Sequence, residues 1–347
     1  KSNIIKKHFE EIICTNDSAL IEYFYDWIAY TMQYPHKPAG TALVLRGEKG
    51  TGKGTIGHFL RRIWGPHAKH ISNPNHLIGQ FNSHLMDACF LFADEAFYSG
   101  DKKNEGVLKA LITEPTVMIE RKGVDAISQP NYLKIFMVTN DDYAVPASKD
   151  ERRYCVYDVS SARKKDTQYF DELNAACEDE KVQAAFLYEM LNRDISKFRT
   201  SVIPESQGLK DQRLYSLNSI GKWLTDSLTQ CYFNISDGNK FRNDDLYHGY
   251  ELWCTSNRLS QYDIKTKIEF GKYLSKIFKK IKLKGNRGYR FCSLNEAISA
   301  FEKYEKIDLD IELDDMDESA CLDDQSFEDL LLAAPKIAGN NGLRNYH

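Results

Sequence analysis

Residues 41–55, TALVLRGEKGTGKGT, constrain this chain more than any other stretch. Ala42, Leu43, Val44 and Leu45 have the length and composition of a buried strand, a glycine-rich turn follows, and Ile56, Phe59, Leu60 and Ile63 then recur at helical spacing. Strand, glycine turn and helix in that order make an anion cradle. Gly47, Gly50 and Gly52 let successive backbone amides curl toward one point, and the helix N-terminus adds its dipole. Lys53 supplies a point charge for β- and γ-phosphates. The next residue is Gly54, where a hydroxyl is usual, and the hydroxyl comes one place later at Thr55. Both join the nucleotide-binding set, and Thr55 is also a candidate ligand for magnesium, shared with water or a downstream carboxylate.

Residues 88–95, ACFLFADE, form a second informative stretch. An apolar run reads as a buried strand that delivers Asp94 and Glu95 at its C-terminal end, where open α/β sheets place their ligands. Magnesium requires a hard oxygen anion near the phosphates, and hydrolysis requires a base that orients water. Asp94 is the candidate for the first role and Glu95 for the second. A third buried strand, residues 133–139, ends in Asn140, whose amide is placed to hold the attacking water. Arg152 and Arg153 precede a further apolar strand and suit an arginine finger, a delocalised cation offered to phosphate charge. Between these strands, residues 117–120 and 124–128 flank Arg121, Lys122 and Gly123 as a hairpin with a basic tip. Residues 67–84 read as a polar linker; its histidines His67, His70, His76 and His84 match no metal-ligand spacing and take no role.

With 42% hydrophobic and 12% aromatic residues, 347 residues suffice for about two packed domains. No apolar run approaches the roughly 18 residues of a membrane span, so no membrane partner is expected. The eight cysteines form no CxxC pair and read as reduced core residues of a cytosolic-type compartment. The net charge of −4 is uneven: residues 308–329 carry 11 acidic and no basic side chains, leaving residues 1–306 at +5.

Taken together, GEKGTGKGT, ACFLFADEA, the Arg121-Lys122 hairpin, IFMVTND and DERRY follow in an order and spacing that resemble superfamily 3 helicases, AAA+ ring motors of DNA replication. The likeness is greatest to the helicase region of phage, plasmid and poxvirus-type primase-helicases, and extends to phage primase-polymerases of the deep-sea vent type. It covers about residues 15–300. The resemblance implies an α/β P-loop NTPase core, a parallel sheet with helices on both faces, that hydrolyses ATP with Mg2+. It also implies a homo-hexamer in which Arg152 or Arg153 reaches a neighbour's ATP, Asn140 acts as polar sensor, and Arg121 and Lys122 grip single-stranded or forked DNA. A primase or primase-polymerase domain would precede Lys1, and the protein would work in the host cytoplasm.

Five segments follow: a helical preface (1–38), the AAA+ ATPase core (39–160), a helical linker (161–208), a winged-helix-like domain (209–300) and an acidic tail expected to be disordered (301–347). In the fourth segment, residues 265–280 form an amphipathic helix with a lysine-bearing face, and residues 281–293 a basic hairpin. Residues 240–292 hold 13 basic and 5 acidic side chains; Lys272, Lys276, Lys279 and Arg287 are the candidate DNA contacts. Two rivals share parts of this pattern. A nucleotide-gated initiator or loader would use every motif without unwinding DNA. A small-molecule phosphotransferase is suggested by the GKGT ending, which adenylate-kinase-like loops also have, but it needs neither Glu95 nor a basic appendage.

Overall fold

The computed structural model describes residues 2–79, 81–95, 102–229, 240–283, 285–290 and 293–311, in two compact units, Lys1–Tyr215 and Ser216–His347. Among the described residues, no helix is long and apolar enough to cross a membrane.

The first unit opens with α1 (Ser2–Lys7), which runs into one π-helical turn, His8–Ile13. Helix α2 (Ser18–Gln33) starts where the Asp17 carboxylate accepts the N–H groups of Ala19 and Leu20 at 2.9 and 3.0 Å, satisfying amides that the first helical turn leaves open. Then come β1 (Ala42–Arg46), α3 (Lys53–Trp64), β2 (Ala68–Ile71), α4 (Pro74–Ile78), β3 (Phe90–Asp94) and α5 (Lys102–Thr113). Strands β4 (Thr116–Arg121) and β5 (Val124–Pro130) pair as an antiparallel hairpin. The unit closes with β6 (Lys134–Thr139), β7 (Tyr154–Asp158), α6 (Thr167–Glu178), α7 (Glu180–Asn192) and α8 (Gln207–Tyr215).

Five strands form one parallel sheet in the order β2-β3-β6-β1-β7. Alternate side chains serve two cores. Leu43, Leu45, Phe92 and Phe136 pack with α2, α3, α6 and α7, whereas Val44, Leu91, Ile135 and Met137 pack toward α5 and α8. Burial on both faces explains why these strands read as continuous apolar runs rather than alternating ones.

Two segments differ from the sequence reading. Residues 67–84 include edge strand β2 and helix α4; β2 has only one fully buried side chain, Ile71, which is why its sequence looked like a linker. Helix α8, which the sequence reading splits between the helical linker and the winged-helix-like domain at residue 208, belongs to the first unit. Gln212 Oε1 accepts the N–H groups of Ala144 and Val145 at 2.7 and 3.1 Å, and Asp211 pairs with Arg46.

In the second unit, α9 (Ser219–Thr229) is followed by β8 (Lys240–Arg242), α10 (Asn243–Ser256), α11 (Lys267–Ile277), β9 (Lys279–Leu283), β10 (Asn286–Arg290) and α12 (Leu294–Glu305). The three strands form an antiparallel sheet in the order β8-β10-β9. Trp223, Tyr250 and Phe270 bring three helices together through ring contacts of 5.2–6.1 Å. The Thr266 and Glu269 side chains close a capping box that starts α11. Phe301 and Ile307 are buried, so the packed chain continues past residue 300; residues 312–347 of the expected acidic tail lie outside the described residues, as do Lys284 and Cys231, Cys292 and Cys321.

Candidate functional site

Strand β1 ends in a loop built to leave amides open. Gly47 has φ 147°, and a Cβ there would meet the Val159 carbonyl oxygen at 2.9 Å; Gly52 has φ 89°, and its Cβ would meet His8 Cε1 at 2.6 Å. A side chain at either position is therefore excluded. Added Cβ atoms at Gly50 and Gly54 would meet nothing within 4 Å, so these two face open space. Among the described residues, the backbone N–H groups of residues 48–50 and 52–55 have no protein acceptor, and α3 begins after Gly52 without a side-chain cap. Such a row of unsatisfied donors at the start of a 12-residue helix suits an anion.

The Lys53 ammonium lies over this loop, donating to the carbonyls of Gly47 and Glu48 at 2.6 and 2.7 Å and to Asn140 Oδ1 at 3.1 Å. Burial lowers its pKa, and Glu95, Asp94 and Glu48 oppose that shift. The sheet order explains the meeting with Asn140. Strand β6 lies between β1 and β3, so the residue after β6 comes between Lys53 and the carboxylates at the end of β3.

Glu95 continues the ladder through its N–H to the Val138 carbonyl at 3.0 Å, but with φ 54°, a left-handed conformation that costs a non-glycine residue about 1–2 kcal/mol. Its carboxylate is held in return: Oε1 accepts the Asn140 backbone N–H at 3.1 Å and the Asn140 side-chain amide, and Oε2 accepts the Thr139 hydroxyl at 3.4 Å. Asn140 thus bridges Lys53 and Glu95, while Thr139 is a contact the sequence reading missed. The Asp94 carboxylate faces His70 Nε2 at 3.5 Å. Thr55 is engaged elsewhere, its hydroxyl donating to Asn174 Oδ1 on α6 at 3.3 Å.

The two arginines before β7 differ. Glu151, whose side chain is 1% exposed, accepts the N–H groups of both residues and the Arg153 guanidinium at 3.3 Å. The exposed Arg152 guanidinium has no partner among the described residues. On the hairpin, Gly123 takes φ 76° to turn the chain, and Arg121 and Lys122 are exposed at the tip, with Arg121 Nη2 near Met86 Sδ. Asn82 fixes this hairpin: its Nδ2 donates to the Met118 carbonyl at 2.8 Å, and its Oδ1 accepts the Glu120 N–H at 2.8 Å.

In the second unit, Lys272, Lys276, Lys279 and Arg287 are all exposed and have no carboxylate partner among the described residues. Lys267 and Arg242, by contrast, pair with Asp244 and Asp245 at 2.9 Å.

The imidazoles of His58 and His70 meet Asp94, and His8 lies beneath Gly52; sequence reasoning assigned none of the three. Burial lowers the His58 pKa, with His70 adding to the shift. Their signal was absent because α3, β2 and β3 are separate in sequence and only the sheet brings them together.

Residues 45–153 match a family described as a family of unknown function (DUF5906). The DNA primase-polymerase of Nitratiruptor phage NrS-1 is 26% identical over 151 residues, which is 43% of this chain and 21% of that protein. The chain is homologous to that protein over this stretch and spans about a fifth of its length. The apo structure of the NrS-1 C-terminal region (305–718) superposes with a TM-score of 0.59 at 19% identity, covering 84% of this chain and 75% of that one. A second apo structure of the region, the A form, gives 0.58 at 20% identity with the same coverage. This chain therefore has the fold of the NrS-1 C-terminal region.

Proposed function

We propose that this chain is the ATP-driven DNA motor of a phage replication protein of the primase-polymerase kind, a superfamily 3, AAA+ helicase that acts as a ring, most simply a hexamer, on single-stranded or forked DNA. One observation carries the reading: the Asn140 side chain accepts from Lys53 Nζ at 3.1 Å through Oδ1 and donates to the Glu95 carboxylate through Nδ2, joining a phosphate-seeking cation to a general base through one polar side chain. A glycine turn used only for structure needs no carboxylate at that distance. Homology to a phage primase-polymerase supports the replication context.

In this reading the open amides of residues 48–50 and 52–55, with Lys53, bind the β- and γ-phosphates. Magnesium, if bound there, would supply positive charge beside the phosphates. Asp94 is its anionic donor. Gly54 offers no side chain, whereas the Thr55 hydroxyl, which donates to Asn174 Oδ1, would keep its oxygen lone pairs to share that role with water. Glu95 orients and deprotonates water, and Asn140 fixes its direction. Arg152, exposed and without a partner among the described residues, is the better candidate for the finger that reaches a neighbouring subunit, because Arg153 is tied to Glu151. Arg121 and Lys122 grip the strand.

The second unit has the element order of a winged helix: α9, β8, α10, α11 and the β9–β10 wing. Lys272 and Lys276 on α11, with Lys279 and Arg287 on the wing, form its phosphate-contacting face.

The test is ATP hydrolysis with and without single-stranded DNA, in the wild type, in Glu95→Gln, and in Arg121→Ala combined with Lys122→Ala. Loss of hydrolysis in the first variant, and loss of DNA stimulation with basal hydrolysis intact in the second, are expected. Hydrolysis indifferent to DNA in every protein would overturn the motor reading. Hydrolysis stimulated by DNA without unwinding of a fork would favour an initiator or loader.

A further inference from the structure

The mouth of the sheet holds a second group of ligand-type side chains beside Asp94. His58 on α3, His70 on β2 and Asp94 at the end of β3 each offer one ligand atom, and the three atoms lie within 4.8 Å of one another. We propose that His58, His70 and Asp94 form a binding site for a divalent transition-metal ion of the zinc class.

The geometry is close to what such an ion requires. Ligands at 2.0–2.2 Å in a tetrahedron stand about 3.4 Å apart. His70 Nε2 and Asp94 Oδ2 already span one edge at 3.5 Å. The His58 ring, 4.9 Å from that of His70 between centroids, closes the triangle by side-chain rotation. Phe92 sets both imidazoles: His70 stacks on it at 4.8 Å and 18°, and His58 meets its edge at 5.1 Å and 85°. The approach of α3 depends on Gly57, where a Cβ would stand 2.3 Å from the Phe92 ring. The His70 and Asp94 side chains remain 30% and 33% exposed, so the fourth position is open to water.

A carboxylate with one imidazole is an ordinary ion pair. A shared metal ion, by contrast, takes one ligand atom from each of the three side chains. Two nitrogens and one oxygen select an imidazole-seeking ion over magnesium, which prefers oxygen donors alone. If Asp94 serves magnesium as proposed above, an ion held here withdraws it and inhibits hydrolysis; that consequence rests on the functional reading, whereas binding itself does not.

The experiment titrates the full chain, free of nucleotide, with Co2+ and follows the visible absorption of tetrahedral cobalt. One saturable equivalent is expected, displaced by Zn2+. His58→Gln and His70→Gln should each weaken binding at least ~10-fold, the lower range for losing an auxiliary contact at a metal site. His84→Gln, outside the cluster, should bind as the wild type does. Zn2+ should raise the unfolding temperature of the wild type and of His84→Gln but not of the other two, all of which can be checked for native circular dichroism beforehand. Absence of the tetrahedral spectrum, or a spectrum unchanged in both His58→Gln and His70→Gln, would overturn the site. Magnesium-dependent hydrolysis, measured separately in His70→Gln, reports on the functional reading alone, so each can fail without the other.

Discussion

Acidifying from about pH 7.5 to about pH 4.5 should destabilise the first unit by ~2–3 kcal/mol through His8 alone. The ring is wholly buried, its Nδ1 bonded to the Tyr169 hydroxyl at 2.9 Å and its Nε2 without a partner among the described residues. Burial lowers its pKa from 6.5 to about 4. Between those values the unfolded chain binds a proton that the folded chain refuses, so stability falls as pH falls, and each tenfold difference in proton affinity between the two states is worth about 1.4 kcal/mol. The loss is complete below about pH 4 and absent above about pH 7. The assay is urea unfolding by circular dichroism across this range for the wild type and for His8→Phe, which keeps a ring and removes the titration. Carboxylates destabilise both proteins in acid, and the difference between the two slopes isolates His8. Parallel slopes would refute the reasoning. Because His8 abuts Gly52, protonation should also loosen the loop before the unit unfolds, which an acid-side fall in nucleotide affinity would report.

Two further predictions concern charges. Arg152→Ala should reduce hydrolysis by ~10³-fold or more with unchanged stability, and mixing it with Lys53→Ala protein should restore activity if the arginine acts on a neighbour's site; Arg153→Ala should instead destabilise the unit by stranding the buried Glu151 carboxylate. Lys134, fully buried and bonded to the carbonyls of Pro35 and Tyr132, has its pKa lowered to about 8, so the folded state releases a proton before the unfolded one and stability should rise from pH 8 toward 10.5, a rise that Lys134→Met removes in urea titrations.

The central strands were legible because they are buried on both faces and therefore carry unbroken apolar runs ending in polar residues, as in ALVLR before the loop and FLFAD before Glu95. Asn140 was legible for the same reason. Strand β2 was not: at the sheet's edge it needs little apolar character, and AKHI reads as linker. Helix α8 was hidden because part of its hold on the core is polar, through Asp211 and Gln212, which no hydrophobic period records. The inequality of Arg152 and Arg153 depends on which way Glu151 folds back, a question of packing rather than of pattern.

Both neighbours of β1 in the sheet come from far downstream: β6 and β7 occupy residues 134–139 and 154–158. A chain emerging from the ribosome therefore carries this apolar strand, and the loop after it, with neither edge paired until β6 has been made and with one edge open until residue 158 has followed. Non-local pairing of this kind is slow and leaves strand edges exposed. On the proposed function, nucleotide binding should therefore be absent from nascent chains stopped before that point and should be gained only once synthesis has passed the last strand of the sheet.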